Sequence, residues 1–482
     1  MKRYFLEGRT WILIALAILG LALRLAPLLR AGVLMDPDSA RYIELAQGLN
    51  HGCGFARWIN GACGEIETLR TPGYPLFLAT MPTLRTAVAI QAVIGAALCL
   101  LTGWYVLGRW GFAAALAAEL IVALDIPSIL LSATILTDSL FQGLVTVGIV
   151  LDLWIVWRGQ NDRIAIAGIL IAATLLGVAI LVRPLGIVFP AFAILPIFLL
   201  PRISWRQSLS IGLLAFAVPS LMAFGWMARN ERTTGVYTLS SVGPLNLYYF
   251  RAAGVVWYRG DKSFQSVQED LGREIGWPRE NFEEAPTSLE SAMIHRAYGI
   301  LRNDPLASII MTLRCLGWLA IVPLRGSLNE FLGTNAGASS YFAASGNVTA
   351  RIQELVRSPL LTVLVVLQLL VMGLVWVGVV RSLFRLGRKS TTERVLLLTP
   401  FIFTLILLGL SAGPEAMARY RMPVIPFLAI LAAVGWFGKF EPSKLRNEAE
   451  HSPVRSVSQP SIARGQLQAY AVGAVDRLGA SR

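Results

Sequence analysis

The chain has 482 residues, of which 55% are hydrophobic and only 15% charged. A soluble fold of that length cannot hide so much apolar surface, so the sequence reads as an all-α polytopic membrane protein. The net charge of +13 does not point to nucleic acid. Lys and Arg fall mostly in short connectors between apolar runs, where they set topology, and no basic patch carries a nucleic-acid motif.

In chain order, the first apolar run, Trp11–Leu29, follows the basic start MKRYFLEGR with no cleavage site behind it and reads as a retained signal anchor. Further runs of roughly the twenty residues a bilayer requires are Thr86–Leu107, Phe112–Leu130, Asp138–Trp157, Ile164–Val182, Pro184–Leu200, Leu209–Ala228, Pro359–Val380, Val395–Leu410 and Met422–Gly438. Together they predict about ten transmembrane helices. The basic connectors at 158–163, 201–206 and 381–394 place those segments and both termini in the cytoplasm. The loops 31–85, 127–137, 229–358 and 411–421 then face outward. Leu306–Leu324 is apolar enough to span but carries Arg314 near its middle, and crossing would force 381–394 outside, so it reads as interfacial or re-entrant. Within 229–304 the spacing of Met293, Ala297, Ile300 and Leu301 predicts a short amphipathic helix. The transmembrane domain is expected to occupy 1–440, and the polar Ser/Arg-rich tail 441–482 to be disordered.

Several side chains in the outward segments carry chemical potential. Asp36 and Asp38 stand one residue apart after the first span and either cap the helix that starts at Ser39 or act on a substrate. Cys53 and Cys63 share a small loop, GCGFARWINGACG, and form a disulfide, remain free thiols, or contribute to a metal site with His51. Arg70–Pro75 (RTPGYP) is a rigid aromatic-bearing turn. Asp138 starts the fourth span on the same side, where boundary acids are functional candidates. Arg183 in LVRP, and Arg419 and Arg421 flanking Tyr420 in RYRMPVIPF, either snorkel to lipid phosphates or converge as a phosphate clamp. Tyr42, Trp58, Tyr74, Tyr248 and Tyr249 are candidates for stacking on a sugar or acceptor, and Asn246 for hydrogen bonding to the acceptor.

The segments DSARYIELAQGL, GCGF, RTPGYPLFLA, ILTDSLF, LVRP, ARNERTTGVYTLSSVGPLNLY and RYRMPVIPF, in that order and on one side, resemble the GT-C superfamily of membrane glycosyltransferases, in its protein O-mannosyltransferase and aminoarabinose-transferase-like group. The resemblance covers about residues 10–440. It implies a GT-C bundle in a bacterial plasma membrane, a sugar donor linked to polyprenyl phosphate, and a lipid, glycan or protein acceptor on the extracytoplasmic face. It implies Asp38 as the base, by register with Tyr42, with Asp36 as a supporting carboxylate or metal ligand and Asp138 as the acid of the second external loop. Ser39 stands where the family commonly carries a second acid, and a divalent metal ion is a possible cofactor. A polytopic transporter, a lipid-linked glycan ligase or polymerase, and a non-catalytic scaffold are the rival readings. A transporter places its polar groups near the bilayer midplane rather than at loop edges.

Overall fold

The computed structural model describes residues 2–158, 163–194, 205–277, 285–322, 331 and 359–438. The expected tail 441–482, much of the expected connectors at 158–163 and 201–206, and nearly all of loop segment 323–358 lie outside the described residues.

The helices are α1 (Lys2–Ala31), α2 (Ser39–Asn50), α3 (Gly73–Ala79), α4 (Leu84–Trp110), α5 (Phe112–Ala123), α6 (Ile126–Ser132), α7 (Asp138–Arg158), α8 (Arg163–Val182), α9 (Phe189–Ile194) and α10 (Trp205–Thr234). They continue with α11 (Val242–Leu245), α12 (Ala253–Arg259), α13 (Phe264–Glu274), α14 (Glu290–Asn303), α15 (Pro305–Ile321), α16 (Pro359–Phe384), α17 (Thr391–Leu410) and α18 (Ile425–Phe437). Among the described residues eight helices are long and apolar enough to cross a membrane, or ten if each of two bent pairs counts as one span. The chain is a multi-pass, helical membrane protein. α18 is buried along nearly its whole length and packs against α16 and α5, which makes it the axis of the bundle.

Two expected spans differ from the sequence reading. Phe112–Leu130 is not one straight helix: α5 and α6 meet at 51°. Pro127 supplies no N–H to continue α5, while Asp125 caps α6 by accepting from the Ser128 N–H at 2.9 Å. The expected loop 127–137 is therefore largely helix. Pro184–Leu200 does not form a full-length helix in its described part, because Arg183 is extended and a 3-10 turn at Pro184–Val188 precedes the short α9. Leu306–Leu324, expected to be interfacial or re-entrant, is helical over Pro305–Ile321 and joins the helical segment Thr287–Asn303 at a 100° bend, the geometry of a broken span or a re-entrant loop, with Asp304 capping its start.

Outside the bundle, a π-helical turn at Asn246–Ala252 packs with α12, α13 and α14 around Leu69, Tyr248, Tyr249, Phe264, Leu271 and Met293. The amphipathic face of α14 is the predicted one, with Met293 and Ala297 buried. Residues 56–66 form an antiparallel hairpin, β1 (Ala56–Ile59) and β2 (Ala62–Ile66), turned by Asn60 and Gly61, both at positive φ. That pair of left-handed residues is the signature of a two-residue hairpin turn. Cys53 and Cys63 are joined by a disulfide.

Candidate active site

Two acid-bearing loops are stitched together by backbone. Leu34 forms a parallel bridge with Thr134: the Leu34 N–H donates to Ala133 O at 2.9 Å and the Ile135 N–H to Leu34 O at 3.2 Å. Ser39, fully buried, extends the seam, donating its hydroxyl to Ile135 O and accepting from the Asp36 N–H, both at 2.8 Å. Asp36 Oδ1 in turn accepts from the Asp38 N–H at 3.2 Å, closing the Asp36-Pro37-Asp38 turn. A further network supports the seam, with Tyr74 donating to Gln91, whose amide donates to Ser132 O and Thr134 O.

This scaffold brings the acids against cations from elsewhere in the chain. Arg70 donates to Asp38 Oδ1 at 2.8 Å, and Arg419 spans both loop acids, to Asp38 Oδ2 at 2.9 Å and Asp36 Oδ1 at 3.1 Å. Arg183 pairs with Asp138 at 2.5 Å. The Arg183 and Arg419 guanidinia both lie over the Tyr420 ring, 5.4 and 5.3 Å from its centroid, so one tyrosine joins the two ion-paired groups. Arg70 lies over Tyr42, which meets Tyr74 edge-on at 5.1 Å. Asp38 is the residue before α2 but makes no side-chain cap to it; both its oxygens face arginine instead.

Electrostatics separates the two neighbouring acids. Burial opposes ionisation of Asp38, but Arg419 and Arg70, with Arg183 beyond, outweigh it and hold its carboxyl well below the usual range. For Asp36 burial prevails over Arg419, with Asp38 and Asp138 adding repulsion, and its carboxyl is pushed up.

Other expected site residues lie apart from this group. Arg421, expected in the phosphate clamp, is 1% exposed and donates to Leu319 O at 2.8 Å and Val322 O at 3.0 Å, at the end of α15. Tyr248 and Tyr249 are buried core residues whose hydroxyls donate to Leu271 O and Trp277 O, so neither presents a face to a sugar. Tyr74 is equally buried. Trp58 stacks on His51 in the disulfide-closed loop. Asn246 starts the π-helical turn and makes no hydrogen bond to the acid–arginine group. Two members were missed as site residues: Arg70, read only as part of a turn, and Ser39, read only as a departure from a pattern. The signal for Arg70 was a cation inside the same polar loop as the acids.

Among the described residues no group of three or more His, Cys, Asp or Glu side chains is placed to hold a metal ion. The loop carboxylates fit a divalent ion poorly for a direct reason: each already faces a guanidinium.

Bent helix pairs at Pro127 and Pro305 and long polar connections surround the acid–arginine group. The chain has the GT-C fold of membrane glycosyltransferases. It aligns with the archaeal oligosaccharyltransferase AglB from Archaeoglobus fulgidus, solved with an inhibitory peptide and a dolichol-phosphate, at a TM-score of 0.50 and 15% identity over 90% of this chain. It spans 50% of that enzyme's length. ArnT from Cupriavidus metallidurans aligns at a TM-score of 0.36 and 15% identity, over 90% of this chain and 78% of its own. No protein-family model and no curated protein matches the sequence.

Proposed function

We propose that the protein transfers a sugar from a polyprenyl-phosphate donor to an acceptor hydroxyl at the extracytoplasmic face of a bacterial plasma membrane, with both termini in the cytoplasm. The observation that carries this reading is the meeting of Asp36, Asp38 and Asp138 with Arg70, Arg183 and Arg419, of which Asp138, Arg183 and Arg419 stand at the ends of candidate spans. Residues at such positions lie at the membrane boundary, where a lipid tail can stay in the bilayer while the head group reaches polar side chains. The dolichol-phosphate bound to the archaeal fold neighbour fits the same donor class. The disulfide in the first external loop fits an oxidising compartment on that side.

In this reading Arg419 and Arg183, held apart by Tyr420, receive the donor phosphate. The buried Nε of Arg419 has no acceptor among the described residues and supplies a spare donor. Phosphate is already a good leaving group, so the requirement is stabilisation of its charge rather than a general acid. A carboxylate of the Asp36–Asp38 pair takes the acceptor proton, a step that contributes about 10²–10⁴-fold. Asp138 is 1% exposed and committed to Arg183, which disfavours it as a covalent nucleophile and favours direct, inverting attack.

The test uses full-length protein in lipid vesicles with a panel of polyprenyl-phosphate hexoses and pentoses labelled in the sugar. Cell-envelope extract from cells lacking the protein supplies acceptors. Protein-dependent loss of label from the lipid is expected, and Arg419→Ala should reduce it at least 100-fold, on the scale of lost charge stabilisation. Label that stays on every lipid while intact solute crosses the membrane would replace the enzyme by a carrier.

A further inference from the structure

Building on the glycosyl-transfer reading, we infer that Asp36, and not Asp38, takes the proton from the acceptor hydroxyl, while Asp38 is a positioning residue that aligns Arg70 and Arg419. The resemblance of the first loop to its family put the base at Asp38; the geometry separates the two roles differently. Both Asp38 oxygens are occupied, Oδ1 by Arg70 at 2.8 Å and Oδ2 by Arg419 at 2.9 Å. A carboxylate that answers two guanidinia is a weak base, and each oxygen of Asp38 already accepts a charge-assisted hydrogen bond. Asp138 is ion-paired and sealed from solvent, with a side chain 1% exposed. Asp36 differs from both. Its Oδ1 accepts from Arg419 and from the Asp38 N–H, but its Oδ2 accepts no hydrogen bond among the described residues, and its side chain is the most exposed of the three at 23%. Among the described residues it combines an oxygen that accepts no hydrogen bond with the most exposed side chain of the three acids. The charged groups that act on it are Arg419, Asp38 and Asp138; burial and the two acids raise its affinity for a proton against the pull of Arg419.

The step balances without a further reactant. The acceptor O–H proton moves to Asp36 Oδ2 as the oxygen lone pair forms the bond to the anomeric carbon. The bond from that carbon to the phosphate oxygen breaks, and its electron pair leaves on the phosphate. Arg419 touches both Asp36 and the place proposed for the phosphate, so negative charge appears at one end of its guanidinium as it is neutralised at the other. Any hold the incoming phosphate takes on Arg419 loosens that residue's grip on Asp36. Donor binding thereby makes Asp36 more basic at the moment a base is needed.

Full-length wild type, Asp36→Asn, Asp36→Glu and Asp38→Asn are compared in vesicles by donor-saturated transfer rate from pH 4 to 9 and by binding of unglycosylated polyprenyl phosphate. Wild-type turnover should rise from an acid limb to a plateau. Asp36→Asn should lose about 10²–10³-fold in turnover, lose the acid limb, and bind polyprenyl phosphate as well as or better than wild type. Asp36→Glu should restore part of the rate and the limb. Asp38→Asn should chiefly raise the donor KM and keep the acid limb. The inference is overturned if Asp36→Asn keeps the limb with turnover within fivefold of wild type, or if the limb disappears in Asp38→Asn instead. Wild type inactive on every donor would overturn the glycosyl-transfer reading itself, and this one with it, and that outcome is distinct from a change between variants.

Discussion

Replacing Arg421 by methionine separates a structural arginine from a phosphate-binding one. The side chain lies 1% exposed, and its two terminal nitrogens serve Leu319 O and Val322 O, carbonyls at the end of α15 that lack helical partners. Methionine fills much of the aliphatic volume but leaves both carbonyls unanswered. Hydrogen bonds from a charged donor contribute roughly 1.5–3 kcal/mol each, so the pair should be worth about 3–6 kcal/mol. The 3-10 segment Ala418–Val424 keeps a second tie, from Gln142 to Met422 O at 2.6 Å, so the fold should loosen rather than collapse. Thermal unfolding of the purified protein should show a midpoint lowered by roughly 3–6 °C. Affinity of the folded fraction for polyprenyl phosphate should stay within about twofold. An unchanged midpoint together with a tenfold loss of phosphate affinity would refute the cap and return Arg421 to the donor site.

Two further predictions concern the seam and the loop before Arg419. Ser39→Ala removes a buried hydroxyl that ties the Asp36 loop to Ile135 O, an effect of about 1–2 kcal/mol on the geometry of the site. Turnover should fall about tenfold while unfolding shifts little, and unaltered turnover would show that the tie is dispensable. Glu415 is buried, and burial, opposed by Arg251, pushes its carboxyl up from 4.5 to about 7. The folded state thus holds this proton more tightly than the unfolded chain, so its contribution is fully present below about pH 4.5 and lost as pH rises through 7. Glu415→Gln should flatten that decline by an amount on the order of 3 kcal/mol, read from unfolding midpoints across the window; an identical slope in both proteins would remove Glu415 as its source.

Much of the architecture is legible from hydropathy because the bilayer demands length and apolarity from every span, and those demands are local. Trp11–Leu29, Thr86–Leu107 and Asp138–Trp157 are recovered to within a few residues. Helix breaks are harder: Pro127 lies inside a run apolar enough to span, and the Asp125 cap to the Ser128 N–H marks where the chain turns. The hairpin at 56–66 is legible in Asn60-Gly61, a two-residue turn pair that stands between short alternating segments of a polar loop. In the site, residue type and sidedness single out Asp36, Asp38, Asp138, Arg183 and Arg419. They cannot tell Arg419 from Arg421, two residues apart on a 3-10 turn, where direction depends on partners about a hundred residues or more distant in the chain. Tyr248 and Tyr249 mislead for the same reason: an aromatic at a boundary and an aromatic in a small external core have the same local sequence.

Arg24 and Arg421 impose an order on how the protein is made. Arg24, deep in α1, donates to Val122 O and Ala123 O where α5 breaks, 98 and 99 residues downstream. At about 5–20 residues per second, the ribosome leaves that cation without its acceptors for roughly 5–20 s after it has been synthesised. Arg421 is the reverse case, since the carbonyls of Leu319 and Val322 are made 102 and 99 residues before the cation that serves them. Each of these two helix ends is thus completed across a gap of about a hundred residues. Through that interval the half-built helices must be sheltered by water, lipid head groups or the insertion machinery.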